Sequence, residues 1–366
     1  MVIKSINNYF TLLNCIMKRT KYIFLFIIFL GFASCSDDED SSLKNDFIKK
    51  TVAPALVGEK IEFAYAAGTT SGRLATVEAN ASIAGAQGTE FGVHSYYTTR
   101  VALTTGGVNY KVGDDVPLKT VKETSTKGAL SSATMEEKVD EIYVNPLVAF
   151  GTNKVDLIAA TLRYYYVVPE EARGKEVSFS FSAKSTSGDN VNVRTPSYKV
   201  SKMEMKRLIS LTIGKACYFS IADMKAYTKE EVESGNLSSK IDFVYLYQAK
   251  MGDYNYGHVA VSPGTDPKYI ATPAAIPSSW TKNKTRMEKR VDVRDAQLKG
   301  SIPNVYIDDI DFQTLNLDSA VDYVFGFQQD EGAFMKSADG QYAAYIYVNS
   351  VNNNTGLVVS IKRYKL

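Results

Sequence analysis

Histidine is nearly missing from this 366-residue chain, which has two, His94 and His258. Catalytic triads and zinc centres lean on imidazole as base or ligand. Here there is no His-Glu-x-x-His pattern, no Gly-x-Ser-x-Gly elbow, no phosphate-cradling glycine loop and no calcium-loop spacing. Cysteine is as scarce. Cys15 and Cys35 lie close to the start and only Cys217 lies in the body, which excludes an internal disulfide framework and a cysteine-held metal there. Cys217, within Ala216-Cys217-Tyr218-Phe219, reads as a small core residue rather than a reactive thiol. Neither sign of charge dominates, with 42 basic and 40 acidic residues, so no basic patch points to nucleic acid. Long apolar runs are also lacking. Tyr22–Leu30 falls well short of the roughly 20 residues that span a bilayer.

What surrounds that short run is informative. Lys18, Arg19 and Lys21 precede it, and Gly31-Phe32-Ala33-Ser34 leads into Cys35. A basic segment, an apolar core and small residues before a cleavage point form a secretory signal peptide. With a thiol at the first mature position, the segment resembles the bacterial lipoprotein signal and its lipobox. Phe32 departs from that pattern, which carries a Leu-like aliphatic residue there. The resemblance implies diacylglycerol on Cys35. At about 0.8 kcal/mol per buried CH₂, each long chain contributes on the order of 10 kcal/mol, so two or three hold permanently. Residues 1–34 are read as the signal, with 1–16 a misassigned extension ahead of a start at Met17. They carry four basic residues and no acidic one, so the remainder has a net charge of about −2.

Ser36, Asp37, Asp38 and Glu39, followed by Asp40, form an acidic run. Such a run is a solvated tether. Beside a lipidated cysteine it also resembles the export signal that sends lipoproteins of Bacteroidetes-type bacteria to the cell surface. Residues 35–46 are thus the anchor and tether, and the expected location is the outer membrane, lipid-anchored and surface-exposed.

From Phe47 to Thr212 the chain reads as strands. Lys60–Tyr65 and Arg73–Ile83 alternate with period two, and clusters such as Thr105-Gly106-Gly107, Gly113-Asp114-Asp115 and Ser187-Gly188-Asp189-Asn190 supply turns. Arg163–Val168 and Val177–Ser182 read as adjacent inner strands, with Val177, Phe179 and Phe181 on one face. Residues 47–212 are therefore expected to form an Ig-like β-sandwich. From Ile213 helical cues mix with strands. Thr228-Lys229-Glu230-Glu231 is a capping-box start whose helix should end near Gly235. Thr314–Phe327 repeats the pattern of the stretch up to Tyr247, suggesting two related halves. Residues 213–366 are expected to be an α+β domain.

Asp242–Tyr247, Val261-Ser262-Pro263-Gly264, Asp309-Ile310-Asp311-Phe312, Ala338–Tyr342 and Tyr345–Asn349 together resemble a Bacteroidales family of two-domain surface lipoproteins of unknown function. The likeness runs over roughly residues 44–366. It implies the same two-part architecture. By analogy with lipoproteins beside starch-utilisation-type, TonB-dependent importers, it also implies capture of a nutrient or docking on such an importer.

The aromatic content is lopsided: 24 tyrosines against one tryptophan. Tyrosine fits strand cores and cross-strand ladders. Tyr254, Tyr256, Tyr269 and Trp280 instead fall in stretches read as loops, where rings would form an exposed platform for sugar C–H faces or peptide side chains. Asp253, Asn255 and His258 are the polar candidates beside them. Asp308, Asp309 and Asp311 invite comparison with paired catalytic carboxylates or a calcium site, with Asp309 and Asp311 on one strand face and no complementary ligand visible, against the reading as a solvated face or cap. The expectation is a non-catalytic binding lipoprotein with no cofactor, taking an oligosaccharide or oligopeptide. The alternatives are a hydrolase using those acidic residues and an adhesin-like surface protein.

Overall fold

Along Lys60–Thr69 every second side chain is sealed from water: Ile61, Phe63, Tyr65 and Ala67 are buried while Glu62, Ala64 and Ala66 are half-exposed. That period of two is what a strand with one core face requires, and it recurs throughout. The structure, a computed structural model, describes residues 42–98, 103–104, 107–108, 116–117, 122–134, 159–251, 254–267 and 276–366.

The N-terminal strands are β1 (Leu43–Lys49), β2 (Lys60–Thr69), β3 (Leu74–Ala81), β4 (Glu90–Thr98), β5 (Leu103–Thr104), β6 (Gly107–Val108) and β7 (Val116–Pro117). Next come β8 (Lys122–Lys127), β9 (Leu130–Thr134), β10 (Ala159–Val167), β11 (Glu176–Val177), β12 (Phe179–Ser185), β13 (Asn190–Arg194) and β14 (Tyr198–Lys199). Two antiparallel five-stranded sheets, β1-β2-β10-β4-β7 and β13-β12-β3-β9-β8, close on one core. Its centre is aromatic: Phe63 lies 4.8 Å from Phe179 ring to ring, and Tyr166 meets Phe179 edge-on at 4.9 Å.

Val177, Phe179 and Phe181 are buried together as the alternation requires. The expectation that Arg163–Val168 pairs beside Val177–Ser182 is corrected. β10 lies between β2 and β4 in one sheet, and β12 between β13 and β3 in the other. The two strands meet face to face. Their connection, with a 3-10 turn at Glu170–Ala172, is long enough to cross the ~10 Å between stacked sheets.

The C-terminal strands are β15 (Glu204–Thr212), β16 (Tyr218–Ser220), β17 (Lys225–Tyr227), β18 (Phe243–Met251), β19 (Tyr254–Val261) and β20 (Arg286–Arg290). They continue with β21 (Tyr323–Val324), β22 (Gly332–Lys336), β23 (Tyr342–Asn352) and β24 (Gly356–Lys365). They form a central sheet, β15-β24-β23-β22-β20, and a second sheet, β17-β16-β18-β19-β21. Along β23, Ala344, Ile346 and Val348 face the core shared by both sheets. Ala343, Tyr345 and Tyr347 face the other way, under a cover built from Leu298, Ile307, Phe312 and Leu317.

Several expectations change here. β15 pairs with the last strand, Ile209 opposite Val359, so the stretch up to Thr212 completes the C-terminal sheet. Sheets dominate this half, and among its described residues the α-helices are short: α1 (Lys229–Ser234) and α2 (Asp309–Gln313). The Thr228 capping box holds α1 and Gly235 ends it, as read from sequence. The proposed repeat fails. β18 is nine residues long inside its sheet, whereas β21 has two residues at an edge, and Gly326 at φ +62° turns the chain away. Asp309 and Asp311 lie on α2 and share no strand. The Asp308 carboxylate accepts the N–H groups of Ile310 and Asp311 while Asp311 accepts that of Asp308, a reciprocal cap that favours a helical turn.

The two halves meet through specific contacts. Leu56 inserts into the cover of the central sheet, and Arg207 pairs with Glu59 at 2.8 Å. Buried Asp309 accepts the Ser201 hydroxyl and the Lys202 N–H. Nearby, Lys362 is fully buried, and its ammonium donates to Asp295 at 2.6 Å, Ile307 O at 2.7 Å and Gln297 at 2.9 Å. All three donors are satisfied, the condition under which a buried charge is tolerated.

Candidate functional site

The hairpin of β18 and β19 carries most of the predicted binding residues. Its register sets Met251 opposite Tyr254, Ala249 opposite Tyr256 and Tyr247 opposite His258. Tyr254 and Tyr256 were expected in a loop. They are strand residues, because the alternation of Tyr254, Tyr256 and His258 fits a ladder.

Tyr254 is 72% exposed. Tyr256 is half-buried, its ring stacked on Phe325 at 4.6 Å and 21°. Phe325 stacks in turn on Tyr323 at 4.7 Å and 24°. The three rings form a continuous strip with the hydrophobic core behind them and a partly open outer side. Sequence reasoning missed Phe325 and Tyr323. The signal was Tyr323-x-Phe325 before a glycine, spaced as for a strand and ended by the turn that swings Phe325 onto Tyr256.

His258 is buried and both ring nitrogens are occupied. Nδ1 accepts from the Tyr245 hydroxyl at 2.7 Å, and Nε2 donates to Asn353 Oδ1 at 3.1 Å. The Tyr245 and Tyr247 rings pack against it. Desolvation lowers its pKa, opposed by the Asn353 hydrogen bond. The result is a neutral imidazole that ties β19 to the β23–β24 turn and has no nitrogen free for a substrate.

Trp280 does not join the strip. It is 6% exposed and packs edge-on against Tyr218 at 5.0 Å. A turn in which the Trp280 N–H donates to Pro277 O brings the indole into the core, where its large apolar area is best buried. Asn255 pairs through its backbone with Lys250. Asp253, Tyr269, Cys35, Ser36, Asp37, Asp38 and Glu39 lie outside the described residues.

Cys217 is a buried core residue, as its sequence context implies. Burial pushes the Cys217 thiol up to about 11, which keeps it protonated in the core. Asp242 is also buried. It accepts the Ile221 N–H at 2.6 Å and the Thr285 hydroxyl at 3.0 Å, and desolvation, aided by nearby Asp339 and Asp223, raises it to about 7. A groove of about 340 Å³ lies beside the β23–β24 turn, lined by Ser210, Thr212, Asn352 and Thr355 together with Leu211 and Leu357 among others. It is separate from the aromatic strip. Among the described residues, no group of three or more His, Cys, Asp or Glu side chains is placed to hold a metal ion, and no helix is long and apolar enough to cross a membrane.

Comparison with known proteins places this geometry. Residues 40–145 and 143–200 match a domain of unknown function, DUF4466, and residues 201–366 match another, DUF8576. No curated protein matches the chain. A DUF4466 family protein from Parabacteroides merdae, solved as a crystal structure, is 35% identical, with 89% of this chain and 99% of that one covered and a TM-score of 0.73. Two weaker matches have TM-scores too low to bear on the fold. AvmM, which catalyses macrocyclization in alchivemycin A biosynthesis, is 11% identical over 44% of this chain and 89% of its own, with a TM-score of 0.22. BcpA, the major pilin subunit of Bacillus cereus, is 5% identical over 88% of this chain and 66% of its own, with a TM-score of 0.25. By identity, coverage and shared fold, the chain belongs to the DUF4466 family.

Proposed function

We propose that this protein is a lipid-anchored, surface-displayed binding protein whose C-terminal half captures an oligosaccharide or oligopeptide on the strip formed by Tyr254, Tyr256, Phe325 and Tyr323. The observation that carries the reading is the run of stacked rings, Phe325 between Tyr256 and Tyr323, half-buried against the core. The exposed Tyr254 ring offers a flat face to sugar C–H surfaces or peptide side chains, the half-buried rings beside it add apolar contact, and phenol hydroxyls add hydrogen bonds. Tyr254, largely exposed at the end of the same strand, extends the surface. The N-terminal half is read as an Ig-like sandwich acting as spacer, with anchorage through acylated Cys35. The same surface would serve for docking on an outer-membrane importer.

The hydrolase alternative draws no support from the acidic residues named for it. Asp309 is buried against Ser201 and Lys202, and Asp311 is engaged in the helix cap.

Glycan and peptide arrays probed with residues 36–366 test the proposal. A ligand is expected on one of the arrays. Tyr254→Ala, which removes an exposed ring without touching the core, is expected to weaken it at least tenfold, about 1.4 kcal/mol. Tyr256→Phe is expected to keep the stacking and most of the affinity. Absence of any ligand, or equal affinity for the native protein and Tyr254→Ala, would overturn the site.

A further inference from the structure

The chain enters the fold at one defined end of the N-terminal sandwich, and that end is pinned. Ser42 O accepts the Thr70 N–H at 2.9 Å, and the Ser42 hydroxyl donates to Asp189. Ser187 then joins the neighbouring turns, donating to Ser71 O at 3.0 Å and to Asp189 at 3.1 Å. The Arg73 N–H donates to the Thr186 hydroxyl at 3.1 Å. The root of the tether is therefore part of the folded body, and its position does not depend on fraying of the first strand.

From that root the strands run away together. β1 leads from Leu43 towards Leu56, which packs in the C-terminal half. β2 runs antiparallel to it, so Thr69 pairs with Leu43 while Glu59, just before β2, meets Arg207. The ten residues of β2, at about 3.3 Å each, separate the two ends by about 33 Å. Beyond the junction the aromatic strip belongs to the second C-terminal sheet. Leu56 packs on the opposite face of the central sheet.

Between Cys35 and Ser42 lie only residues 36–41. Fully stretched, those seven steps span at most about 24 Å, less than the length of β2. We infer that the turns Thr69–Arg73 and Ser185–Asn190 face the lipid headgroup surface, and that the sandwich stands upright as a spacer holding the C-terminal half away from it. Among the described residues, the tips of these turns, Thr70, Ser71, Gly72, Thr186, Ser187 and Gly188, are small, uncharged and largely hydroxylic, with exposed Lys44 and Lys184 flanking them to meet anionic headgroups. The inference rests on the proposed acylation of Cys35 and adds a direction to it.

The test uses the full acylated protein, with Cys217→Ala, in vesicles of phosphatidylethanolamine and phosphatidylglycerol carrying an acceptor-labelled lipid. Single donor dyes are placed at Thr70→Cys or Asn190→Cys, and at Glu230→Cys or Val291→Cys in the C-terminal half. Donors at 70 and 190 are expected to lose most of their emission to the acceptor, and those at 230 and 291 to keep most of theirs. Equal quenching at all four sites, or stronger quenching at 230 and 291, would overturn the orientation. Intact mass of the N-terminal peptide and flotation with the vesicles report the acyl chains separately. An acylated, floating protein with the wrong quenching pattern refutes the direction alone, and an unacylated one refutes the anchor on which it stands.

Discussion

Asp242 shows how far a buried side chain can depart from its ordinary chemistry. Burial first, then Asp339 and Asp223, raise its pKa from 3.8 to about 7. The native state thus holds this proton more tightly than the unfolded chain does. The stabilisation from the protonated acid is fully present below about 3.8 and is lost as pH rises through about 7. Asp242→Asn keeps an acceptor for the Ile221 N–H and offers a donor to Thr285. It is expected to raise the melting temperature relative to the native protein at a pH of about 8.5 and to give little gain at about 4. An identical difference at both pH values in thermal melts would contradict the assignment. Two aromatic residues offer a contrast at the same scale. Trp280→Ala removes a buried indole and is expected to cost about 3–5 kcal/mol in denaturant unfolding. Tyr254→Ala, at a largely exposed position, is expected to stay within about 0.5 kcal/mol.

Among elements, the strands were legible wherever one face is wet. The alternation in Lys60–Thr69 and Phe179–Ser185 shows directly which side chains are buried. The capping box at Thr228 was equally local and equally readable. Pairing was not legible, because period two says which way a side chain points and nothing of which strand lies beside it. Hence β10 and β12 read as neighbours although they oppose one another across the core, and β15 read as the end of the first half although it pairs with β24. Trp280 and Tyr256 illustrate the same limit for the site. Their place depends on contacts with Tyr218 and Phe325, far away in sequence. The β15–β24 pairing has a checkable weak point. Gly356 adopts φ +134°, and a Cβ there would sit 1.9 Å from Leu211 O. Gly356→Ala is expected to destabilise by more than about 1 kcal/mol, from both backbone conformation and clash. A variant as stable as the native protein in urea titration would contradict the register.

The molecule as a whole is two β-rich halves held by the Arg207–Glu59 pair and by Leu56 in the cover of the central sheet. Asp309, read from sequence as a candidate catalytic carboxylate, instead holds the connector between them. Its replacement by Ala leaves the Ser201 hydroxyl and the Lys202 N–H without their acceptor and is expected to cost about 1–3 kcal/mol. Unchanged unfolding would mean the junction does not depend on it. The central claim is that this body is tethered to lipid through one thiol. It is tested most directly by growing cells on a radiolabelled fatty acid and recovering the native protein and Cys35→Ala. Label on the native protein and none on the variant is the expected result; equal label on both, or none on either, would contradict the account.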